Sequence, residues 1–284
     1  NALIYINLFA LLPLIFYAMY RAHRYKMART RWRGVRFGME KGAWGFAARA
    51  IGYGLLTLVS FGALFPLGNF KLEKYMADRS YFGDARFEQG GKWTALYGAA
   101  KHVFIGLGVL IAGVAIGGAA QSEALMGIAV LVGYIWLMVG FVYYRVHSFR
   151  YMAENRMLGD QITFTATPTT GEVIKIYIIG ALIMAVVVAV LVFIGGLLFG
   201  AAMSMAGIGN MGLVGVLGVV LYLIALVLLG AMALVFITQP TIAHFITNFT
   251  VHNADALNDI QQRAMETGVD AEGFADALDI GGAI

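Results

Sequence analysis

The chain contains no cysteine, which excludes disulfides, thiolate nucleophiles and cysteine-ligated metals. Charge is scarce as well. Asp, Glu, Lys and Arg make up 13% of the 284 residues and apolar types 60%, where a soluble domain carries ~25% charged residues. Between Ile176 and Ala254 there is no charged residue at all. A soluble protein would have to expose part of such a run to water, whereas ~20 apolar residues cross a bilayer as one helix. No Asp or Glu lies in the middle of any apolar run, and Glu123 falls in a turn. Carboxylate-based coupling to protons or sodium is disfavoured on that ground, although carbonyls at broken helices can also hold ions.

Familiar catalytic motifs are missing too. His23, His102, His147, His244 and His252 never form a His-Glu-x-x-His set, so no zinc-protease helix of that kind is present. Gly207-Ile208-Gly209-Asn210 lacks the lysine and the strand context of a phosphate loop and reads as a turn between two helices. Gly-x-Ser-x-Gly is absent. The expectation is a non-enzyme with no catalytic residue, no cofactor and no metal.

Six apolar runs are present, at Ala2 to Tyr20, Ala50 to Asn69, His102 to Ala120, Ala124 to Tyr144, Ile176 to Gly200 and Met211 to Thr238. Each is long enough for a tilted helix, and none has the period-two alternation of a membrane barrel. The predicted fold is an all-α polytopic membrane protein, a bundle of about six transmembrane helices with repeated short interfacial helix/β-hairpin modules. Gly113 with Gly117 and Gly196 with Gly200 have the small-xxx-small spacing of close helix contacts.

Three segments echo one another, each after an apolar run: Arg24-Tyr25-Lys26-Met27-Ala28 through Gly34 to Phe37, Lys74-Tyr75-Met76-Ala77-Asp78 through Gly83-Asp84 to Phe87, and Arg150-Tyr151-Met152-Ala153-Glu154 through Gly159-Asp160 to Phe164. A weaker fourth copy is expected near 239–252, where Gln239-Pro240 to Asn248 echoes Phe65-Pro66 to Phe70. Each copy predicts a short helix, a turn at its glycine, and a β-favouring stretch closed by Glu40-Lys41-Gly42, Gln89-Gly90-Gly91 or Thr169-Thr170-Gly171. The turn glycines, Gly34, Gly83 and Gly159, are expected in a conformation that other side chains resist. Asp84 and Asp160 are expected to accept bonds from the turn backbone or to pair with Arg79 and Arg156. The predicted organisation is a repeated transmembrane domain over 1–252, with modules near 24–37, 74–87, 150–164 and 239–252, followed by an acidic soluble tail over 253–284. Because the chain does not begin with methionine, it stays open whether native residues precede Asn1.

The charges are segregated. Arg21 to Ala43 carries eight basic residues and one acid, a net +7, whereas His252 to Ile284 carries seven acids and one base. Arg29, Arg31, Arg33 and Arg36 around Trp32 would suit a nucleic acid, but directly after an apolar run they are better read as cytoplasmic contacts to anionic lipid head groups. A single crossing at Ala50 to Asn69 would place repeat one in the cytoplasm and repeats two and three outside. A kink or re-entrant turn around Gly62 and Pro66 is the alternative; simple alternation is the expectation adopted. Arg49, Lys101, Arg145 and Lys175 sit near predicted helix ends, where they can snorkel toward head groups. His102 and His147 lie in the same zone, and His102 has the chemistry of either a proton relay or an interhelical hydrogen bond.

Arg31-Trp32-Arg33-Gly34-Val35-Arg36-Phe37, Leu64-Phe65-Pro66 and Tyr81-Phe82-Gly83-Asp84-Ala85-Arg86-Phe87 resemble the YjgN-like family of bacterial inner-membrane proteins, a domain of unknown function. The resemblance extends over nearly the whole chain and is clearest between Tyr25 and Gly91; the tail after Asn253 resembles nothing recognised. It implies a multi-pass inner-membrane protein and, because relatives are encoded beside zinc metallopeptidases, a possible partner of that kind. It implies no catalytic residues. The expected function is a non-catalytic membrane partner or scaffold in contact with lipids, as a possible homo-oligomer. A channel or transporter for a small solute or lipid is the alternative.

Overall fold

The computed structural model describes residues 2–206 and 211–263. The Gly-rich turn at 207–210 and the larger part of the predicted acidic tail lie outside the described residues. The first helix, α1 (Ala2–Arg29), runs unbroken from the first apolar run into the basic segment, with Pro13 inside it. It feeds the hairpin β1 (Arg31–Trp32) and β2 (Val35–Met39). Helices α2 (Ala43–Val59) and α3 (Phe65–Ala77) lead to β3 (Ser80–Phe82) and β4 (Ala85–Gln89). Next come α4 (Leu96–Ala119), α5 (Glu123–Glu154), β5 (Arg156–Leu158) and β6 (Ile162–Ala166). Then α6 (Thr170–Ala206) and α7 (Met211–Ala233) pass through a π-helical stretch, Leu234–Thr238, into α8 (Gln239–Thr247) and β7 (Phe249–His252).

Among the described residues, four helical stretches are long and apolar enough to cross a membrane: Trp93–Ala119, Glu123–Glu154, Thr170–Ser204 and Gly218–Thr247. Most of their apolar side chains are exposed, as at Ile128, Leu182 and Val227. Such an all-round apolar helix suits a lipid environment, in which the backbone must bond within the helix itself. Helices α4 and α5 approach closely because glycines remove side chains at the crossing. A Cβ at Gly106 or Gly117 would overlap the α5 backbone, and one at Gly140 would overlap the α4 backbone. The expected contact at Gly196 and Gly200 is not formed; both face open space.

The run Ala50 to Asn69 is not one crossing. Helix α2 ends at Ser60, and Phe61 (φ 51°) and Gly62 (φ 87°) turn the chain through left-handed conformations. The Gly62 N–H reaches back to the Thr57 carbonyl at 2.7 Å, a helix-ending bond that glycine favours. The Ser60 hydroxyl accepts from the Leu64 N–H at 3.0 Å, and Pro66 starts α3, where its missing N–H costs nothing. Together α2 and α3 form a helical hairpin with an exposed apolar tip at Leu58, Val59 and Phe61.

That turn decides the topology. Among the described residues, all seven strands lie in one antiparallel half-barrel sheet in the order β1-β2-β3-β4-β5-β6-β7. Phe37 pairs with Phe82 across β2–β3, and Phe87 with Leu158 across β4–β5. A continuous sheet cannot be divided by a bilayer, so the expected placement of repeat one opposite repeats two and three is overturned. The chain instead turns back at Phe61-Gly62, in keeping with the alternative of a kink or re-entrant turn.

Candidate functional site

The sheet is the most elaborately built polar feature of the chain. Its three hairpins turn through Arg33-Gly34, Gly83-Asp84 and Gly159-Asp160-Gln161. All three glycines have positive φ, at 85°, 56° and 57°. Arg33 also has positive φ, 48°, giving the first turn the double left-handed geometry that matches strand twist. The distance from glycine to phenylalanine differs among the motifs, yet Phe37, Phe87 and Phe164 are each the third residue of the strand after the turn. Period-two alternation therefore sends all three to one face. There they join Phe82, Leu158 and Ile162 in a continuous apolar layer. The opposite face exposes Arg86, Glu88, Thr163, Thr250 and His252.

Each hairpin is locked to the helix end that follows it. After the first, the Glu40 N–H donates to the Arg79 carbonyl at 2.9 Å and the Tyr75 hydroxyl donates to the Gly42 carbonyl at 2.9 Å. After the second, the Gly90 N–H reaches the Asn155 carbonyl at 2.8 Å and the Lys92 N–H reaches the Tyr151 hydroxyl at 2.7 Å. After the third, the Thr167 N–H reaches the Asn248 carbonyl at 2.9 Å and the Thr169 N–H reaches His244 Nε2 at 3.1 Å. His244 thus stands where the earlier modules have Tyr75 and Tyr151. The amide of Asn155 donates to the Tyr151 carbonyl and that of Asn248 to the His244 carbonyl, both at 2.8 Å.

Between the second and third hairpins, Gln89 is fully buried. Its Nε2 donates to the Met152 carbonyl at 2.9 Å and its Oε1 accepts from Arg156 Nε at 2.9 Å. Its backbone N–H donates to Asp78 Oδ1 at 2.8 Å and its carbonyl accepts from Lys74. Sequence reading assigned Gln89 only to a turn signal. The available clue was alternation, which places it on the same side of β4 as Phe87 and makes it a polar side chain at a buried position.

The two motif aspartates differ from expectation. Asp84 Oδ1 accepts from the Gln261 N–H at 3.1 Å while the Asp84 N–H donates to the Gln261 carbonyl at 2.9 Å. Neither the turn backbone nor Arg79 is its partner. Arg79 instead lies 3.6 Å over the Tyr75 ring, and Arg156 pairs with Glu73 at 2.8 Å. Asp160 is exposed. The contact at Asp84 fastens the segment after β7 across the sheet. Ala256, Leu257 and Ile260 cover the apolar layer, and Arg33 Nη1 donates to Asn258 Oδ1 at 2.7 Å. A Cβ at Gly83 would overlap the Gln261 carbonyl.

The remaining candidates are dispersed. Arg29 lies over the Tyr25 ring, and Arg31 and Arg36 face each other across β1–β2. Arg49 donates to the Gly45 carbonyl at 2.9 Å and lies 4.6 Å over Tyr75. Lys101 lies 5.3 Å over Tyr143, whose ring stands 4.5 Å from that of His102 and 3.9 Å from that of His147. Lys175 pairs with Glu172 at 2.6 Å. Arg145 reaches the Tyr177 hydroxyl at 3.4 Å. Among the described residues, no three His, Asp or Glu side chains converge in a way that could hold a metal.

Residues 1–166 match the family described as "Bacterial protein of unknown function (DUF898)". The chain belongs to the YjgN-like family. The match ends at the close of β6 rather than running along nearly the whole chain, so α6, α7, α8 and β7 of this YjgN-like protein lie beyond it. No curated protein matches the chain, and no solved structure does. Four apolar helices of spanning length in a member of a bacterial family make it a membrane protein.

Proposed function

We propose that this YjgN-like protein is a non-catalytic membrane scaffold that presents its sheet to a partner protein at the cytoplasmic face of the bacterial inner membrane. What supports it is the single sheet into which all the hairpins merge, with seven helix ends rooted along it. Interlocks at every module make that surface rigid, and rigid elements position a binding face more accurately than loops. The basic segment 21–43 forms part of the same surface, and its net +7 favours the cytoplasmic side for all of it. The exposed polar face, with Arg86 and Glu88 two residues apart on one side of β4, is the docking surface, and a zinc metallopeptidase is the partner class that the family resemblance implies. A homo-oligomer would multiply the surface.

Purification from native membranes in mild detergent, followed by mass spectrometry, tests this reading. A second protein is expected in stoichiometric amount, lost on reversing both charges with Arg86→Glu and Glu88→Lys while the variant stays inserted. Unchanged recovery from that variant would refute the docking face, and a chain that elutes without any second protein would refute the scaffold.

Passage of a small solute or lipid is the second reading. It is favoured by the broken α2–α3 hairpin and the π-helical stretch at Leu234–Thr238, since irregular helices recur at transport sites. Saturable flux into proteoliposomes would support it, and its absence across a broad panel would remove it.

A further inference from the structure

Helix α3 turns Asn69, Leu72, Glu73 and Met76, spaced i, i+3, i+4 and i+7, toward α5. From α5 the same spacing brings Arg145, Ser148, Phe149 and Met152 to face them. The two faces do not close on each other. Between them lies a cavity of about 450 Å³, open on one side and walled mainly by apolar atoms. It is bridged at its membrane end by Asn69 Nδ2 donating to the Tyr144 hydroxyl at 3.0 Å. At its sheet end Arg156 and Glu73 pair at 2.8 Å.

The charge of the groove is unbalanced. Arg156 is matched by Glu73, but among the described residues no carboxylate pairs with Arg145, whose guanidinium gives one long hydrogen bond to Tyr177. A guanidinium has five N–H donors, so most of the capacity of this exposed, groove-lining side chain is open to a ligand. Arg145 also follows directly on the apolar run Ala124 to Tyr144, at the edge of the hydrocarbon, where a cation is tolerated and meets lipid phosphates.

An apolar groove with a surplus cation at that depth is complementary to one kind of molecule. The geometry points to a binding site for an anionic phospholipid, with its phosphate on Arg145 and Ser148 and its glycerol backbone between Leu72 and Phe149. The cavity is too small for a whole phospholipid, so the acyl chains lie outside it, along apolar helix surface already exposed to the bilayer. A choline head group would bring a second cation toward Arg145 and is disfavoured by charge. This site is independent of whether the sheet binds a protein.

Native mass spectrometry of the purified full chain, with phosphatidylglycerol and phosphatidylcholine supplied at equal concentration, tests the assignment. One retained phosphatidylglycerol is expected, at about tenfold preference over phosphatidylcholine, a ratio that repulsion between choline and a nearby guanidinium can supply at a protein surface. Arg145→Gln should lower its retention about tenfold, and Ser148→Trp, which fills the groove, should lower it at least as much. Lys175→Gln, a cation outside the groove, should leave it unchanged. Leu72→Trp replaces Ser148→Trp if that variant does not elute as the native protein does. Full retention in Arg145→Gln or in the groove-filling variant would overturn the site. Equal losses in Arg145→Gln and Lys175→Gln would also overturn it, because they indicate general attraction of the head groups to a basic protein.

Discussion

The seven-stranded sheet and the α6–α7 hairpin meet opposite solvents, and their construction differs accordingly. Strands and helix ends in the sheet are joined by specific polar contacts, from the buried amide of Gln89 to the paired bonds between Asp84 and Gln261. Helices α6 and α7 instead satisfy their backbones internally and present Leu182, Val186 and Val227 outward. Water competes for every polar group at the sheet, so that region needs shape and pairing to be unique. Lipid does not compete for backbone bonds, so a long apolar helix is stable there with few tertiary contacts.

Topology offers the largest effect with which to break this contrast. The chain has no native cysteine, so single cysteines at Arg31, Glu88 and Asp160 should all react with an impermeant reagent from one side of the membrane, and one at Glu123 from the other. Any hairpin site reacting from the opposite side would dismantle the single sheet. Next in size is Gln89→Leu. It leaves Arg156 Nε and the buried Met152 carbonyl without their Gln89 partner, although Glu73 still pairs with Arg156, and should destabilise the sheet by about 3 kcal/mol, read as a lower melting temperature in detergent. Gly83→Val adds a Cβ against the Gln261 carbonyl at a positive φ; a cost of about 2 kcal/mol is expected, seen as faster proteolysis after Asn253.

Smaller effects sharpen the comparison. His244→Phe removes the acceptor for the Thr169 N–H and should cost about 1 kcal/mol, and His244→Tyr should recover it if the last module is equivalent to the earlier two. Leu182→Ala and Val227→Ala, at side chains 62% and 73% exposed, should change stability by no more than about 0.5 kcal/mol. A loss of several times that size would mean a second copy of the chain covers this surface instead of lipid.

Much of this was legible locally. Helices α4 and α5 fall on the apolar runs His102 to Ala120 and Ala124 to Tyr144, and the turns fall at Gly34, Gly83 and Gly159, because helix length and turn chemistry depend on near neighbours. The candidate site was less legible. The motif spacing marks Tyr75 and Tyr151 only as repeated positions, yet both are fasteners for the preceding hairpin. The partners of Asp84 and Arg156 were misassigned because shared spacing suggested local pairing.

By itself, the sequence determined that the protein belongs in a membrane, that its apolar runs are helical and that its motifs turn back as hairpins, all consequences of composition and short-range geometry. Only the tertiary structure decided that the hairpins share one side, that Asp84 holds Gln261, 177 residues away, and that α3 and α5 leave a groove between them. The side was fixed by the Phe61-Gly62 turn inside an apolar run whose length alone equals one crossing. The latch and the groove depend on which distant surfaces meet, and hydrophobic spacing within a single helix carries no record of that.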